Sequence, residues 1–263
     1  TSHFLFYYLF SQIILLINKI NIQQLSNTFL ISAFIFMNKI TLSIATIIPL
    51  IFLNKKIIIE FFKYKRTYFI ITFFILWVVK NIIISGCAIY PVSQTCFKNL
   101  LWVDIKTVKY VSNENEAWTK NWPDSDMSLN HSEYIKNFSW LKDWKKNYLP
   151  KIFKKLFPFI FVLVLLGFFL FYNSKKNRLF LSSYKINIIY IVLTISVLIW
   201  FLKIPLLRYG QSFIITLICI IFATFCGKLK IEKKYKKIFT SIIIFGTIVF
   251  VSKNILRISK NNN

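Results

Sequence analysis

Acidic residues are scarce in this sequence: nine Asp and Glu stand against 34 Lys and Arg. Seven of the nine fall in one stretch, as Asp104, Glu114, Glu116, Asp124, Asp126, Glu133 and Asp143. Histidine occurs twice and cysteine four times. These shortages exclude several kinds of chemistry. Cys87 and Cys96 have no second Cys pair, and His131 is the only His nearby, so no zinc site is expected. No C-x-x-C spacing occurs, which argues against a thioredoxin-type redox role. There is no Walker A sequence and no Ser-His-Asp arrangement, and His3 and His131 have no motif around them. Neither a metal nor a cofactor is expected.

Total charge is low as well. Charged residues make up 16% of the 263, and hydrophobic ones 56%. A soluble domain carries about 25% charged and about 45–50% apolar residues. The net charge of +25 does not imply nucleic acid. The lysines lie mostly between apolar runs, where basic residues orient helices in a membrane. Ile, Lys, Asn and Phe are all abundant, so an A+T-rich coding sequence contributes to the Lys excess.

Apolar runs cover approximately 4–18, 28–53, 67–86, 156–173, 186–204, 211–227 and 238–252. Several approach the ~20 residues that span a bilayer as a helix. The second is interrupted by Asn38-Lys39 and carries Pro49 near its end, so it is two short membrane segments or one broken helix. The expectation is an all-α, polytopic transmembrane helix bundle of about seven spans. Thr1 is not Met, and an apolar run begins within three residues of it, so a fragment lacking its N-terminal part is expected.

Three short connectors are strongly basic: "NKKIIIEFFKYKRT" (54–67), "NSKKNR" (173–178) and "KLKIEKKYKK" (228–237). The positive-inside rule puts them in the cytoplasm. Residues 87–155, 203–210 and the C-terminus then lie outside. The chain divides into transmembrane helices over 1–86, an exterior cap of roughly 65 residues over 87–155, and transmembrane helices with a short tail over 156–263. The expected location is a bacterial inner membrane, with the cap periplasmic. Five of the seven Trp are in the cap. There "NHSEYIKNFSWLKDWKKNYLP" (130–150) places Tyr134, Phe138, Leu141 and Tyr148 at helical spacing, with Trp140 and Trp144 beside them. Such a helix lies at the membrane interface or packs on the rest of the cap.

On the outer side the compartment is oxidising, so Cys87 and Cys96 are read as a disulfide, with two free thiols as the alternative. Lys80, near the outer end of a span, is either functional or snorkels to the interface. The sharper signal is "WFLKIPLLRYG" (200–210). Pro205 ends one helix and Gly210 lets the chain turn back. Between them Arg208, with Lys203 nearby, suits a phosphate or diphosphate, as on a polyprenyl-phosphate headgroup. An ordinary phospholipid would serve the same Arg.

"WFLKIPLLRYGQSFI" resembles the Trp…Pro…Arg-Tyr segment in the C-terminal half of integral membrane glycosyltransferases of the C type (GT-C), and related uncharacterised bacterial envelope proteins. "KNIIISGCAIYPVSQTC", with Lys80, Asn81, Gly86, Cys87, Tyr90, Pro91 and Cys96, resembles a segment of that second group. The likeness covers roughly 80–215. It implies sugar transfer from a polyprenyl-linked donor at the outer face, with Arg208 and Tyr209 helping to hold the lipid phosphate. It also implies an acidic base in a first outer loop, which this chain does not contain. Inside the chain the candidates for a base are Glu114, Glu116, Asp124 and Asp126. In "NENEAWTKNWPDSD" they accompany Trp118 and Trp122, whose faces can stack on sugar rings, although an ordinary solvated loop has the same composition.

The function expected is therefore a glycosyltransferase-like membrane protein making envelope polysaccharide or glycolipid. Its partners are membrane lipids and a polyprenyl-linked sugar donor, with no nucleic acid. An O-antigen-type polymerase or ligase is the near alternative. A transporter is the distant one, because Asn38-Lys39 is the one midspan break and no internal repeat appears.

Overall fold

The computed structural model describes residues 2–124, 130–172, 175–176, 184–227 and 229–230, with isolated positions at 237, 240, 241 and 252. The described chain is almost wholly helical. It forms two compact units, one from residues 1–155 and 182–219, the other from 156–181 and 220–263.

In the first unit α1 (Ser2–Asn18) and α2 (Ile22–Asn38) form an antiparallel pair. Phe6, Leu9, Phe10, Ile13 and Leu16 fall on one face of α1 at three- and four-residue spacing, and all are buried. Buried residues of α2 include Ser26, Thr28 and Ser32. Small side chains let membrane helices approach closely. Asn21 caps α2, its side chain accepting from the Gln23 amide.

α2 stops at Lys39, whose backbone is extended at φ −149°. A 3₁₀ stretch, Ile40–Thr46, leads into the short α3 (Ile47–Leu50). Asn54 then caps α4 (Lys55–Lys63). The two pieces, Ile40–Leu50 and Lys55–Lys63, meet at 113°. The interrupted apolar run thus ends α2 and supplies Ile40–Leu50, the first arm of the bent pair; the second arm, Lys55–Lys63, lies in the segment expected as a basic connector (54–67).

α5 (Lys65–Ser85), α9 (Leu149–Tyr172), α10 (Tyr184–Lys203) and α11 (Leu207–Gly227) follow, with three short cap helices between α5 and α9. These four are long and apolar enough to cross a membrane, and the bent pair makes a fifth if it counts as one span. Their surfaces stay apolar: Phe69, Ile75 and Leu76 on α5 and Ile191, Ile195 and Leu198 on α10 are exposed. Apolar surface of that length needs lipid around it, so the chain is a membrane protein. The count of about seven is not reached among the described residues. Helices α1 and α2 are 17 residues each, and the run 238–252 falls almost entirely outside the description.

The cap holds α6 (Ile105–Thr119), α7 (His131–Tyr134) and α8 (Leu141–Asn147). The segment 130–150 is not one helix. A 3₁₀ turn, Lys136–Phe138, separates α7 from α8, and Phe138 takes a positive φ of 57°. Ser139 donates back to the Tyr134 carbonyl at 2.6 Å, which stabilises the break. Tyr134, Trp140 and Trp144 are buried, so these rings pack within the protein.

In the second unit the Phe222 ring lies against Gly167. Lys175–Lys176 pairs antiparallel with Leu229–Lys230, the single two-residue ladder among the described residues.

Candidate functional site

The site begins at the elbow between α10 and α11. α10 ends at Lys203, Pro205 sits in the three-residue link, and α11 starts at Leu207, so Arg208 and Tyr209 occupy its first turn. Two indoles fasten the elbow. Trp200 donates through Nε1 to the Leu206 carbonyl at 2.8 Å. Trp144, from α8, donates to the Pro205 carbonyl at 2.8 Å and is buried. Trp140 and Trp144 both lie against Phe201, with ring centroids 5.6 and 5.1 Å away. Gly210 sits flush on the Trp200 ring, leaving no room for a side chain. The cap and the elbow are therefore one packed body, and the backbone that carries Arg208 is fixed from both sides.

The Arg208 guanidinium donates to the Tyr209 hydroxyl at 3.0 Å. Lys39, the residue that breaks α2, reaches the same place. Its ammonium donates to the Arg208 carbonyl at 2.9 Å and lies 4.8 Å from the centre of the Tyr209 ring. His3 Nε2 is 2.6 Å from that carbonyl, and its Nδ1 meets the Ser212 hydroxyl. Two cations thus share one turn of α11, and among the described residues neither has a carboxylate partner.

The opposite wall is α6. Asp104 caps it, accepting from the Lys106 amide at 2.8 Å and the Thr107 hydroxyl at 2.6 Å. Those bonds, the Thr107 one foremost, hold its carboxyl below the usual carboxylate range. Lys109, Ser112, Asn113 and Glu116 then fall on one face at helical spacing. Glu116 bridges two lysines: Lys120 donates to Oε1 at 2.6 Å and Lys203 to Oε2 at 3.1 Å. The lysines differ sharply. The Lys120 side chain is 4% exposed and that of Lys203 is 65% exposed. Burial pulls the Lys120 ammonium below its ordinary range, with Glu116 acting against that pull. The Lys120 ammonium also lies 4.7 Å from the Trp140 ring centre.

A third wall comes from the loop after α5. Cys87 and Cys96 are joined in a disulfide. Gly86 ends α5 in the left-handed region at φ 68°, with Val103 packed where a side chain would project. Ala88 donates to the Thr95 carbonyl at 3.0 Å, and the Thr95 hydroxyl bonds Ile89 and Val92. This pinned loop presents Pro91, Val92, Ser93 and Gln94.

Between these walls lies a cavity of about 1150 Å³ that is open to solvent. Arg208, Tyr209, Lys203, Glu116 and Trp118 line it, as does Tyr148. That is large enough for a headgroup and a sugar. Four of the residues expected at a ligand's phosphate or sugar, Arg208, Tyr209, Lys203 and Trp118, therefore line one cavity with Glu116. Lys80 does not join them: it is exposed on α5 and does not line the cavity. Trp122 turns to His131, 4.3 Å between ring centres, and lies 6.5 Å from Trp118. Glu114 is on α6 but not on the lining face. The Asp124 side chain and Asp126 lie outside the described residues. No group of three or more His, Cys, Asp or Glu able to hold a metal occurs among the described residues.

The sequence reading missed Lys39, His3 and Lys120. Lys39 carried a signal, as a charge interrupting an apolar run. Lys120 carried the four-residue spacing to Glu116. His3 carried none.

A family model described as Domain of unknown function (DUF8201) matches residues 2–215. All the residues that line the cavity fall inside that match. No curated protein and no solved structure matches the chain.

Proposed function

The chain belongs to the DUF8201 family, and we propose that its cavity binds the phosphate of a lipid-linked sugar and serves a GT-C-like glycosyl transfer. The observation that carries this reading is the pair Lys39 and Arg208, which share one turn without a carboxylate partner beside a cavity lined by Lys203. Uncompensated cations at one locus are stabilised by an anion, and a guanidinium matches phosphate oxygens well. Trp118 is half exposed at the same cavity and offers a face for a sugar ring.

In such a transfer an acceptor hydroxyl attacks the anomeric carbon. The bond from that carbon to the phosphate oxygen breaks, and its electron pair leaves with the phosphate. Arg208 and Lys203, which line the cavity, would stabilise the charge arriving there, with Lys39 bonded to the Arg208 carbonyl. The hydroxyl proton needs a base, and Glu116 is the carboxylate that lines the cavity among the described residues. The donor is a polyprenyl phosphate-sugar, and the product is envelope polysaccharide or glycolipid. The reading places the cap at the outer face of a bacterial inner membrane, the basic connectors in the cytoplasm, and about seven spans between them. Lys203 and Arg208 line the same cavity, two cations for two phosphates, which supports an O-antigen-type polymerase or ligase, acting on a diphosphate-linked donor, as the second reading.

Arg208→Ala tests the proposal. One charge-assisted hydrogen bond contributes about 1.5–3 kcal/mol, so farnesyl phosphate should bind the purified variant roughly tenfold or more weakly. Sugar transfer in proteoliposomes should fall with it. Binding and transfer untouched by this change would sink the reading.

A further inference from the structure

Glu116 is held by two lysines of opposite character. Lys120 is buried, fixed over Trp140 and 2.6 Å from Oε1. Lys203 is mostly exposed, lines the cavity, and is 3.1 Å from Oε2. An exposed ion pair is weak, because water and salt screen it and two long side chains lose freedom in making it. The contact to Lys120 is sheltered from both effects. Of the two, the Lys203 contact is the one that a competing anion can break.

We infer that Glu116 is an internal stand-in for the ligand's phosphate, and that an arriving phosphate displaces it from Lys203 by competing for the same ammonium. The inference rests on the reading of the cavity as an anion site, and adds how that site changes on binding. In the resting site Oε2 accepts from Lys203, which engages one of its two lone pairs. When Lys203 swings to a phosphate oxygen, Oε2 is released while Oε1 stays on Lys120. Glu116 remains charged and anchored, with one oxygen turned toward the acceptor. Nothing covalent is required: one N–H···O contact is exchanged for another. The arrangement couples the two ends of the site. Arrival of the donor phosphate frees the Oε2 lone pair that Lys203 held, so more of the carboxylate is open to the acceptor hydroxyl. Lys203 contacts Glu116 and the ligand's phosphate in turn.

The competition has a sign that a merely structural salt bridge does not. Removing the internal anion should strengthen ligand binding. Farnesyl phosphate is titrated into the purified full chain by thermophoresis, for wild type, Glu116→Gln, Lys203→Gln and the double variant, with Arg208→Ala as the reference for the anion site. The expected result is that Glu116→Gln binds roughly two- to fivefold tighter, the range set by an exposed ion pair. Lys203→Gln should bind more weakly than wild type. In the double variant the gain from Glu116→Gln should vanish, because the ammonium that was competed for is absent. If Glu116→Gln does not yield folded protein, Glu116→Asp withdraws the carboxylate by one methylene and should give the same sign with a smaller gain. Wild-type binding that falls in Arg208→Ala but does not rise in Glu116→Gln overturns the displacement and leaves the anion site standing. A gain that persists without Lys203 also overturns it. Wild type that shows no binding sensitive to Arg208 removes the anion site, and the displacement with it.

Discussion

At the residue scale, the position of Arg208 depends on a contact that contains no charge. Gly210 lies flush on the Trp200 ring, and that ring is held by its own bond to the Leu206 carbonyl. Alanine at 210 would gain up to about 1 kcal/mol of helix propensity. Its methyl group would meet a ring that cannot step aside without losing a hydrogen bond. Overpacking costs typically about 1–3 kcal/mol, so Gly210→Ala should be net destabilising. We expect a lower thermal midpoint in detergent and a weaker grip on farnesyl phosphate. A midpoint equal to wild type would show that the ring has room. The same scale explains what the sequence could and could not show. Arg208, Lys203 and Trp118 were legible because a charge beside a Pro-Gly turn, or a Trp among acids, is unusual locally. Lys39 and His3 meet Arg208 across 169 and 205 residues of chain, and no local pattern encodes such a contact.

At the element scale, the loop 87–96 is held by a covalent link and by the Thr95 hydrogen bonds together. Closing a loop of about this size removes conformational freedom from the unfolded chain, worth roughly 2–3 kcal/mol in the entropic account. Cys96→Ser should therefore lower the thermal midpoint. It should also loosen the wall formed by Pro91 to Gln94 and weaken ligand binding several-fold. Wild type treated with reductant should behave like the variant. If both keep the wild-type midpoint, the hydrogen bonds alone hold the loop. The long apolar helices were legible as runs of the right length, because lipid imposes that length directly. The cap was less so. Apolar spacing over 130–150 suggested one helix, yet the chain breaks at Phe138, where a positive φ and the Ser139 back-bond outweigh periodicity. Helical spacing records which side chains can share a face. It does not record whether the backbone between them stays regular.

At the scale of the whole molecule, a net charge of +25 is spread unevenly, with most acids in the cap and the basic clusters in the connectors. The proposed orientation follows from that asymmetry. It can be read with one cysteine on each side, in a background carrying Cys219→Ser and Cys226→Ser. Leu101 in the cap and Ile59 on α4 are both exposed. A membrane-impermeant maleimide should label Leu101→Cys in intact cells and Ile59→Cys only after permeabilisation. The reverse pattern would turn the protein over and put the cavity in the cytoplasm. Composition made the membrane class legible from the sequence alone. The span count was not, because α1 and α2 are 17 residues each and the run 28–53 holds the end of α2 and only one arm of a bent pair that continues to Lys63.

The elbow has a consequence for how such a site can diversify. Its two indole anchors donate to main-chain carbonyls, those of Pro205 and Leu206. Every amino acid offers that acceptor. Ile204 and Leu206, whose side chains line the cavity, can therefore be exchanged without unfastening the turn. Trp144 and Trp200 have no such latitude, since few side chains fill the same space and donate from the same point. Mutation can then reshape the floor of the cavity while its cations stay in register. Ligand preference can drift among related chains, or be redesigned in this one, through positions 204 and 206 on an unchanged frame.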